Sequence, residues 1–210
     1  MTSRSRRGKT AVRHYGDETR ELILSAARRH FASRGLAGVS MQDIADAAGV
    51  SRATVFNQFG SKQLILDAIT ADSLRSYCRL LDEALADEDT PTLDLLRSLF
   101  QRMATGLQTN RRLYRQVFAE IRKVSLGLDA EGLSPAIRRE AFGRLVRLFA
   151  RGQARGDITR TLPADVLATA FDSLLSGAVT HWLRSARRMR LDELLAALAE
   201  VFLSGAANRT

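Results

Sequence analysis

The side chains with the clearest chemical use lie between Arg52 and Lys62, and they suit hydrogen bonding rather than catalysis. An arginine such as Arg52 can bond both O6 and N7 of a guanine, and an asparagine such as Asn57 can bond an adenine at two points. Gln42, ten residues before Arg52, could reach the DNA backbone or a base edge. These residue types indicate contact with base pairs and phosphates.

No pattern in the chain indicates an enzyme. The histidines at 14, 30 and 181 lack the spacing of metal ligands. We find neither G-x-G-x-x-G after a strand, nor a P-loop, nor H-E-x-x-H, so we expect no cofactor. Cys78 is the single cysteine, which excludes an intrachain disulfide and favours a reduced compartment. We expect its thiol to be buried rather than reactive.

Positive charge is concentrated at the start of the chain. The 210 residues include 32 Lys and Arg against 23 Asp and Glu, a net charge of +9. Residues 1–62 hold eleven basic and five acidic side chains, so +6 of the +9 lies in less than a third of the chain. This asymmetry favours a polyanionic partner. The sequence shows no signal peptide and no membrane span, so we expect a cytoplasmic protein.

Apolar residues recur at helical spacing along almost the whole chain, and no long stretch alternates with a period of two. The pattern predicts an all-α protein of nine or ten helices. Residues 1–16 are basic and poor in apolar side chains, so we expect a flexible arm. The predicted DNA-binding domain follows at 17–62 and a helical body at 63–210. The boundary falls in a helix that begins near residue 61, which we expect to be a rigid element shared by both.

Residues 40–59, SMQDIADAAGVSRATVFNQF, have the steric pattern of a helix-turn-helix. Ser40 and Asp43 form a predicted capping box, Gly49 permits the positive φ of a tight turn, and Ser51 caps the next helix. A second helix held in this way can enter a major groove. An ordinary αα-hairpin would share the turn, but not the basic arm beside it or the polar outer face of the second helix.

These residues resemble the TetR family of one-component transcriptional regulators. The resemblance is carried by TRELILSAARRHFASRG at 19–35, by VSMQDIADAAGVSRATVFNQFGSKQLIL at 39–66 and, less specifically, by GDITRTLPADVLA at 156–168. It implies a nine- to ten-helix TetR-like architecture, with a three-helix head that binds DNA and a body that binds a small-molecule effector and forms a homodimer. The implied function is a repressor that a small effector releases from a palindromic operator. The largely apolar residues of the body, with few acids among them, favour a hydrophobic effector.

The same resemblance implies that Thr54 donates to a phosphate and that Lys62 meets another. Phe56 stands where the family usually has tyrosine, so only a ring contact with sugar or a thymine methyl remains. Gln58 stands where histidine is frequent, and it can still donate to phosphate. The predicted DNA-binding residues are Gln42, Arg52, Ala53, Thr54, Phe56, Asn57, Gln58 and Lys62.

Two further sets of residues belong to the predicted body, and for both sets a place in an ordinary core is the alternative. The last two long helices, at about 163–186 and 190–205, carry more apolar residues than one core face needs. The predicted dimer interface consists of Leu167, Phe171, Leu174, Leu175, Ala178, Leu191, Leu194, Leu195 and Leu198. The predicted effector pocket is lined by Phe100, Met103, Leu107, Tyr114, Phe118, Phe142, Phe149 and His181.

Two other classes of protein share some of these features. A sequence-indifferent DNA-binding or interaction protein without a ligand response would also carry a basic head. Attachment to a membrane surface through the basic arm would need an amphipathic helix, which the arm lacks.

Overall fold

A computed structural model describes residues 4–126, 133–185 and 190–206, with side chains from residue 16 onward. The described residues contain nine helices, which confirms the predicted all-α architecture. They are α1 (Arg4–Arg34), α2 (Met41–Ala48), α3 (Arg52–Phe59), α4 (Lys62–Ala86), α5 (Thr92–Gln108), α6 (Arg111–Ser125), α7 (Pro135–Arg155), α8 (Ala164–Arg184) and α9 (Leu191–Ala206). Among the described residues, no helix has both the length and the apolar character needed to span a membrane.

The first helix is longer than predicted. We expected α1 to start at Asp17, but its backbone is helical from Arg4, so it includes most of the segment expected to be a flexible arm. Arginine, lysine and alanine favour the helix, and no proline interrupts the segment. The early turns carry no apolar stripe, and the apolar period was the signal on which the prediction depended. Residues 1–3 of the predicted arm lie outside the described residues.

The chain forms two compact units that divide inside α4, between Ile69 and Thr70. The predicted boundary, between residues 62 and 63, falls at the start of the same helix. Helix α4 therefore contributes its first turns to the N-terminal unit and the rest to the C-terminal unit.

The N-terminal unit is a three-helix head closed by the start of α4. Its core combines the apolar face of α1 with the inner faces of α2, α3 and α4. The side chains that it buries include Ile23, Ala27, Phe31, Val39, Ile44, Ala45, Val55, Phe59, Ile65 and Ile69. Gly35, with φ of 74°, ends α1, and its N–H donates to Phe31 O at 3.0 Å as a C-terminal cap.

The core of the C-terminal unit is organised around an aromatic cluster. The ring centroid of Phe171 on α8 lies 4.6 Å from that of Phe100, 5.6 Å from that of Phe202 and 5.8 Å from that of Phe149. Such tilted and edge-on arrangements add about 0.5–1.5 kcal/mol per pair beyond the burial of apolar area. The cluster therefore joins α5, α7, α8 and α9 into one core.

The segment after α7 forms hydrogen bonds with the start of α5 and the end of α9. The N–H of Thr92, at the start of α5, donates to Asp157 Oδ2 at 2.7 Å, and the N–H of Thr159 donates to Ala206 O at the end of α9 at 2.8 Å. Gly152 leaves room for this segment, because a Cβ at that position would lie only 2.5 Å from Ile158 Cγ1. The motif at 156–168 thus supports the packing of the C-terminal unit.

Most of the predicted dimer-interface residues belong to the core of the single chain. Leu167, Phe171, Leu175, Ala178, Leu191 and Leu195 are buried without a second copy. The apolar faces of α8 and α9 already pack against other helices of the C-terminal unit. The remaining three, Leu174, Leu194 and Leu198, are half-buried. The first six therefore have little surface left for a second copy to cover, and the dimer interface stays a prediction.

Candidate nucleic-acid interface

Local hydrogen bonds position α2 and α3 as the sequence pattern predicts. At the start of α2, the N–H of Asp43 donates to Ser40 Oγ at 3.1 Å, and the N–H of Ser40 donates to Asp43 Oδ2 at 2.7 Å, which completes the capping box. Gly49, with φ of 68°, ends α2, and Ser51 Oγ accepts the N–H of Thr54 at 3.0 Å to cap α3. These bonds define a short helix, a tight turn and a second short helix.

The two faces of α3 have opposite character. Val55 and Phe59 point into the head and are 0% and 7% exposed. The guanidinium of Arg20 on α1 lies 4.4 Å from the Phe59 ring centroid, a cation–π contact that holds α3 against α1. Helix α3 is thus anchored along one side only.

The outer face of α3 carries the predicted DNA-binding residues. Those that are exposed to solvent are Arg52, Ala53, Phe56, Asn57 and Gln58. Phe56 is 61% exposed, a large apolar surface that the head does not cover. The structure therefore brings five of the eight predicted contact residues onto one free helix face.

Two of the other predicted contact residues have partners within the head. Thr54 is half-buried, and its hydroxyl lies 2.8 Å from Ser51 Oγ, so it also supports the cap of α3. Gln42 is exposed on α2, where its amide Nε2 donates to Asp46 Oδ1 at 2.7 Å. To contact DNA, each of these side chains would exchange an existing hydrogen bond for a new one.

Lys62 lies where α4 begins, but its side chain is turned inward. Its ammonium donates to Leu36 O at 3.0 Å and to Val39 O at 2.5 Å, both in the loop between α1 and α2. Two of its three N–H donors are therefore used to hold this loop. The phosphate contact of Lys62 stays a prediction, and a DNA phosphate would have to share the ammonium with these two carbonyls.

The carboxylate of Asp43 is stabilised in its charged form. The Ser40 hydroxyl at 2.6 Å contributes most and the Ser40 N–H next, with Arg34 Nη1 at 3.2 Å contributing further, and together they lower its pKa to about 2. The ion pair with Arg34 connects the end of α1 to the start of α2. The sequence analysis missed this pair, because a separation of nine residues has no helical periodicity to reveal it.

The predicted effector-pocket residues divide by burial. Phe100, Leu107 and Phe149 are buried in the core of the C-terminal unit. Met103, Tyr114, Phe118 and Phe142 are partly buried against the same core. His181 is exposed and lines a surface groove instead. The structure therefore brings the aromatic residues together as core and separates His181 from them.

A capped helix, a tight turn and a second helix with a free polar face define a DNA-binding protein of the helix-turn-helix class. Residues 23–69 match the family model described as "Bacterial regulatory proteins, tetR family". Residues 23–69 therefore form a DNA-binding domain of the TetR type, as the resemblance in the sequence indicated.

Relatives that span nearly the whole chain agree with this assignment. The HTH-type transcriptional repressor DhaR of Mycobacterium sp. (strain GP1) is 25% identical over 196 residues, which cover 90% of this chain and 94% of DhaR. The crystal structure of the TetR family regulator PfmR from Thermus thermophilus is 26% identical with a TM-score of 0.65, covering 87% of this chain and 97% of PfmR.

A third similarity concerns the fold alone. The transcriptional regulator FadR from Bacillus subtilis, solved in complex with stearoyl-CoA, is 20% identical with a TM-score of 0.73. The alignment covers 88% of this chain and 98% of FadR.

Proposed function

We propose that this regulator is a homodimeric repressor that binds a palindromic operator through α3 and is released by a small hydrophobic effector. The observation that carries the proposal is the outer face of α3, which is exposed and which the head leaves free to contact DNA.

The DNA-reading step rests on the side chains of that face. Arg52 and Asn57 are exposed, and their guanidinium and amide groups suit guanine and adenine respectively. The exposed ring of Phe56 suits a thymine methyl or a sugar, because it offers apolar contact without a hydrogen bond. Gln58 donates to phosphate at the edge of the same face.

The dimerisation step rests on apolar residues that the single chain leaves exposed. On α9, Val201 is 73% exposed and follows the half-buried Leu194 and Leu198 at helical spacing. On α8, Val166 is 43% exposed and shares a face with the half-buried Leu174. A second copy that covered these residues would present two recognition helices to two half-sites, which compensates for the few contacts that one head makes.

The effector step rests on the polar and aromatic content of the C-terminal core. The hydroxyl of Tyr77 is buried without a hydrogen-bond partner among the described residues, which costs about 1–3 kcal/mol. Burial raises the pKa of Tyr77, so the hydroxyl remains a neutral donor. A hydrophobic effector with one acceptor oxygen would satisfy this donor while it packed against Phe100 and Phe149, whose rings would move to admit it. The long acyl chain of the ligand bound to B. subtilis FadR is chemically consistent with this class.

Coupling between effector and DNA would pass along α4, which belongs to both units. A tenfold loss of operator affinity requires about 1.4 kcal/mol of coupling free energy, so the effector need only favour one position of α4 by that amount.

The test begins with selection of bound sequences from random duplex DNA by the full-length protein, followed by affinity measurements at fixed salt. We expect a palindromic site. Arg52→Ala and Asn57→Ala should each cost about 1–3 kcal/mol at particular base pairs, so their selected sites should change. Arg147→Ala, an exposed arginine on α7, serves as the matched control and should leave the selected site unchanged.

Effector release is then tested with long-chain fatty acids and their thioesters as probes. Saturable loss of operator binding, with bulk DNA binding unaffected, supports the proposal. If bulk DNA competes as well as the selected site, the protein is instead a sequence-indifferent DNA-binding protein. If the selected site is specific but no probe alters its affinity, the hydrophobic effector class is wrong.

A further inference from the structure

Phe56 on α3 is exposed in a way that the packing of the head does not explain. Its side chain is the one aromatic group among the exposed large apolar side chains that the structure describes. The core of the head is closed without it, since Val55 and Phe59 supply the buried face of α3. The guanidinium of Arg20 covers the Phe59 ring, but no ring or guanidinium among the described residues stacks on Phe56. An apolar ring that the fold leaves in water gains free energy when a partner covers it.

Ala53 extends the apolar surface of Phe56. Residues three or four apart are neighbours on a helix, so the exposed methyl group of Ala53 lies beside the Phe56 ring. Arg52, four residues before Phe56, lies next to the ring on one side. Asn57, four residues after Ala53, bounds the pair on the other side. The apolar pair therefore lies between the two side chains of α3 that suit base edges best.

The same apolar pair lies apart from the predicted phosphate donors of α3. Thr54 and Gln58 are four residues apart, and Gln58 is turned by about 160° from Phe56 around the helix. A phenyl ring has no hydrogen to donate to a phosphate, and a sugar contact carries no sequence information. In the major groove, thymine is the base whose edge carries an apolar group, its 5-methyl. The chemistry of the pair therefore matches a thymine.

We propose that the Phe56 ring and the Ala53 methyl together recognise the 5-methyl group of one thymine in each half-site, which makes Phe56 a specificity-determining residue. This inference rests on the proposed binding of α3 to an operator. Arg52 and Phe56 are one turn apart, about 6 Å along the helix axis, whereas neighbouring base pairs are about 3.4 Å apart. The thymine should therefore lie within about two base pairs of the guanine that Arg52 bonds.

Uracil in place of thymine removes this methyl group and changes nothing else in the base pair. Each thymine of the site selected from random duplex DNA is replaced in turn, in both half-sites, and the affinity of the full-length protein is measured at fixed salt. The loss of one apolar carbon from a buried contact lowers affinity by about fourfold per half-site, and by about fifteenfold for both. We expect this loss at one thymine position of the half-site.

The converse experiment adds the methyl group to a different base. Cytosine at the critical position should weaken binding, because its edge lacks the methyl group and offers a donor in place of the O4 acceptor. With 5-methylcytosine at that position, affinity should rise by about fourfold per half-site above that for cytosine, since the methyl group occupies the same place in the groove.

Variants of α3 assign the effect to the ring. Phe56→Ala should bind the thymine and uracil versions of the site with equal affinity, whereas Phe56→Leu should keep part of the preference, because leucine is also apolar. Gln58→Ala is the matched control on the other flank of α3, and it should lower the affinity for both versions by the same factor. Phe56 is outside the core, so these variants should keep the helical content of the wild type in circular dichroism.

Two results would overturn this inference while the proposed function stands. One is a specific site at which every uracil version binds the wild type as tightly as the thymine version does. The other is a Phe56→Ala variant that binds more weakly but keeps the preference for thymine, which would assign the ring to a sugar. If selection yields no specific site at all, the proposed function fails together with the inference.

Discussion

Replacement of Lys62 by methionine separates a structural role from a DNA contact. The half-buried ammonium donates to two carbonyls of the loop between α1 and α2, Leu36 O and Val39 O. Methionine keeps a similar apolar stem but removes both hydrogen bonds. The N-terminal unit should therefore lose stability, while the number of contacts between the protein and DNA phosphates should stay the same.

The magnitude follows from the two bonds. A hydrogen bond to a charged group contributes about 1.5–3 kcal/mol, and partial exposure of the lysine reduces this, so we expect a loss of about 2–4 kcal/mol in the free energy of unfolding. A lysine that neutralised one phosphate in each half-site would contribute about 2 to the log–log salt slope of DNA binding. The structure instead predicts an unchanged slope for Lys62→Met.

The assay combines urea unfolding with operator affinity measured over a series of salt concentrations. Arg52→Met is the matched control, since Arg52 is exposed on the outer face of α3: its stability should be unchanged and its operator affinity reduced. A Lys62→Met variant of wild-type stability whose salt slope is smaller by about 2 would refute the structural role and support the predicted phosphate contact.

Three further outcomes are expected. Gly152→Ala should destabilise the C-terminal unit by about 1–3 kcal/mol in thermal unfolding, because the new Cβ would lie 2.5 Å from Ile158 Cγ1. Gly143→Ala on the same helix, where a Cβ meets open space, should be neutral or stabilising. The pKa of Asp43 is lowered from 3.8 to about 2, so its carboxylate stabilises the head above about pH 4 and loses this effect as the pH falls toward 2. The difference in unfolding free energy between the wild type and Asp43→Asn, measured in urea, should therefore shrink over that range. A difference that is independent of pH would contradict this. Val201→Arg should shift the protein from dimer to monomer in light scattering without loss of helical content, and an unchanged dimer would exclude this face of α9 as the interface.

The helix-turn-helix was predictable because its signals are local. The capping box depends on residues three positions apart, and the turn depends on a glycine at one position with positive φ. The polar outer face of α3 follows from the helical period, so the exposure of Arg52 and Asn57 was predictable from the sequence. The same argument failed for the first turns of α1, where no apolar side chain marks the helix.

The body was less predictable, because an apolar residue does not indicate what covers it. The leucines of α8 and α9 could face either the core or a second copy, and only their burial within one chain distinguishes Leu175 from Leu198. The surface groove that His181 lines was missed for a related reason: Arg122 in its lining lies more than fifty residues from Ser176, and neither position carries a motif.

The sequence by itself determined the class of this protein, since its caps, turn glycine and helical period act within about four residues of each position. The tertiary structure decided where long side chains are directed. Lys62 bonds carbonyls 23 and 26 residues away, and no local pattern specifies such a contact. A flexible side chain takes its direction from whichever partner the packing of distant segments brings within reach, and that partner becomes known only when the chain is folded.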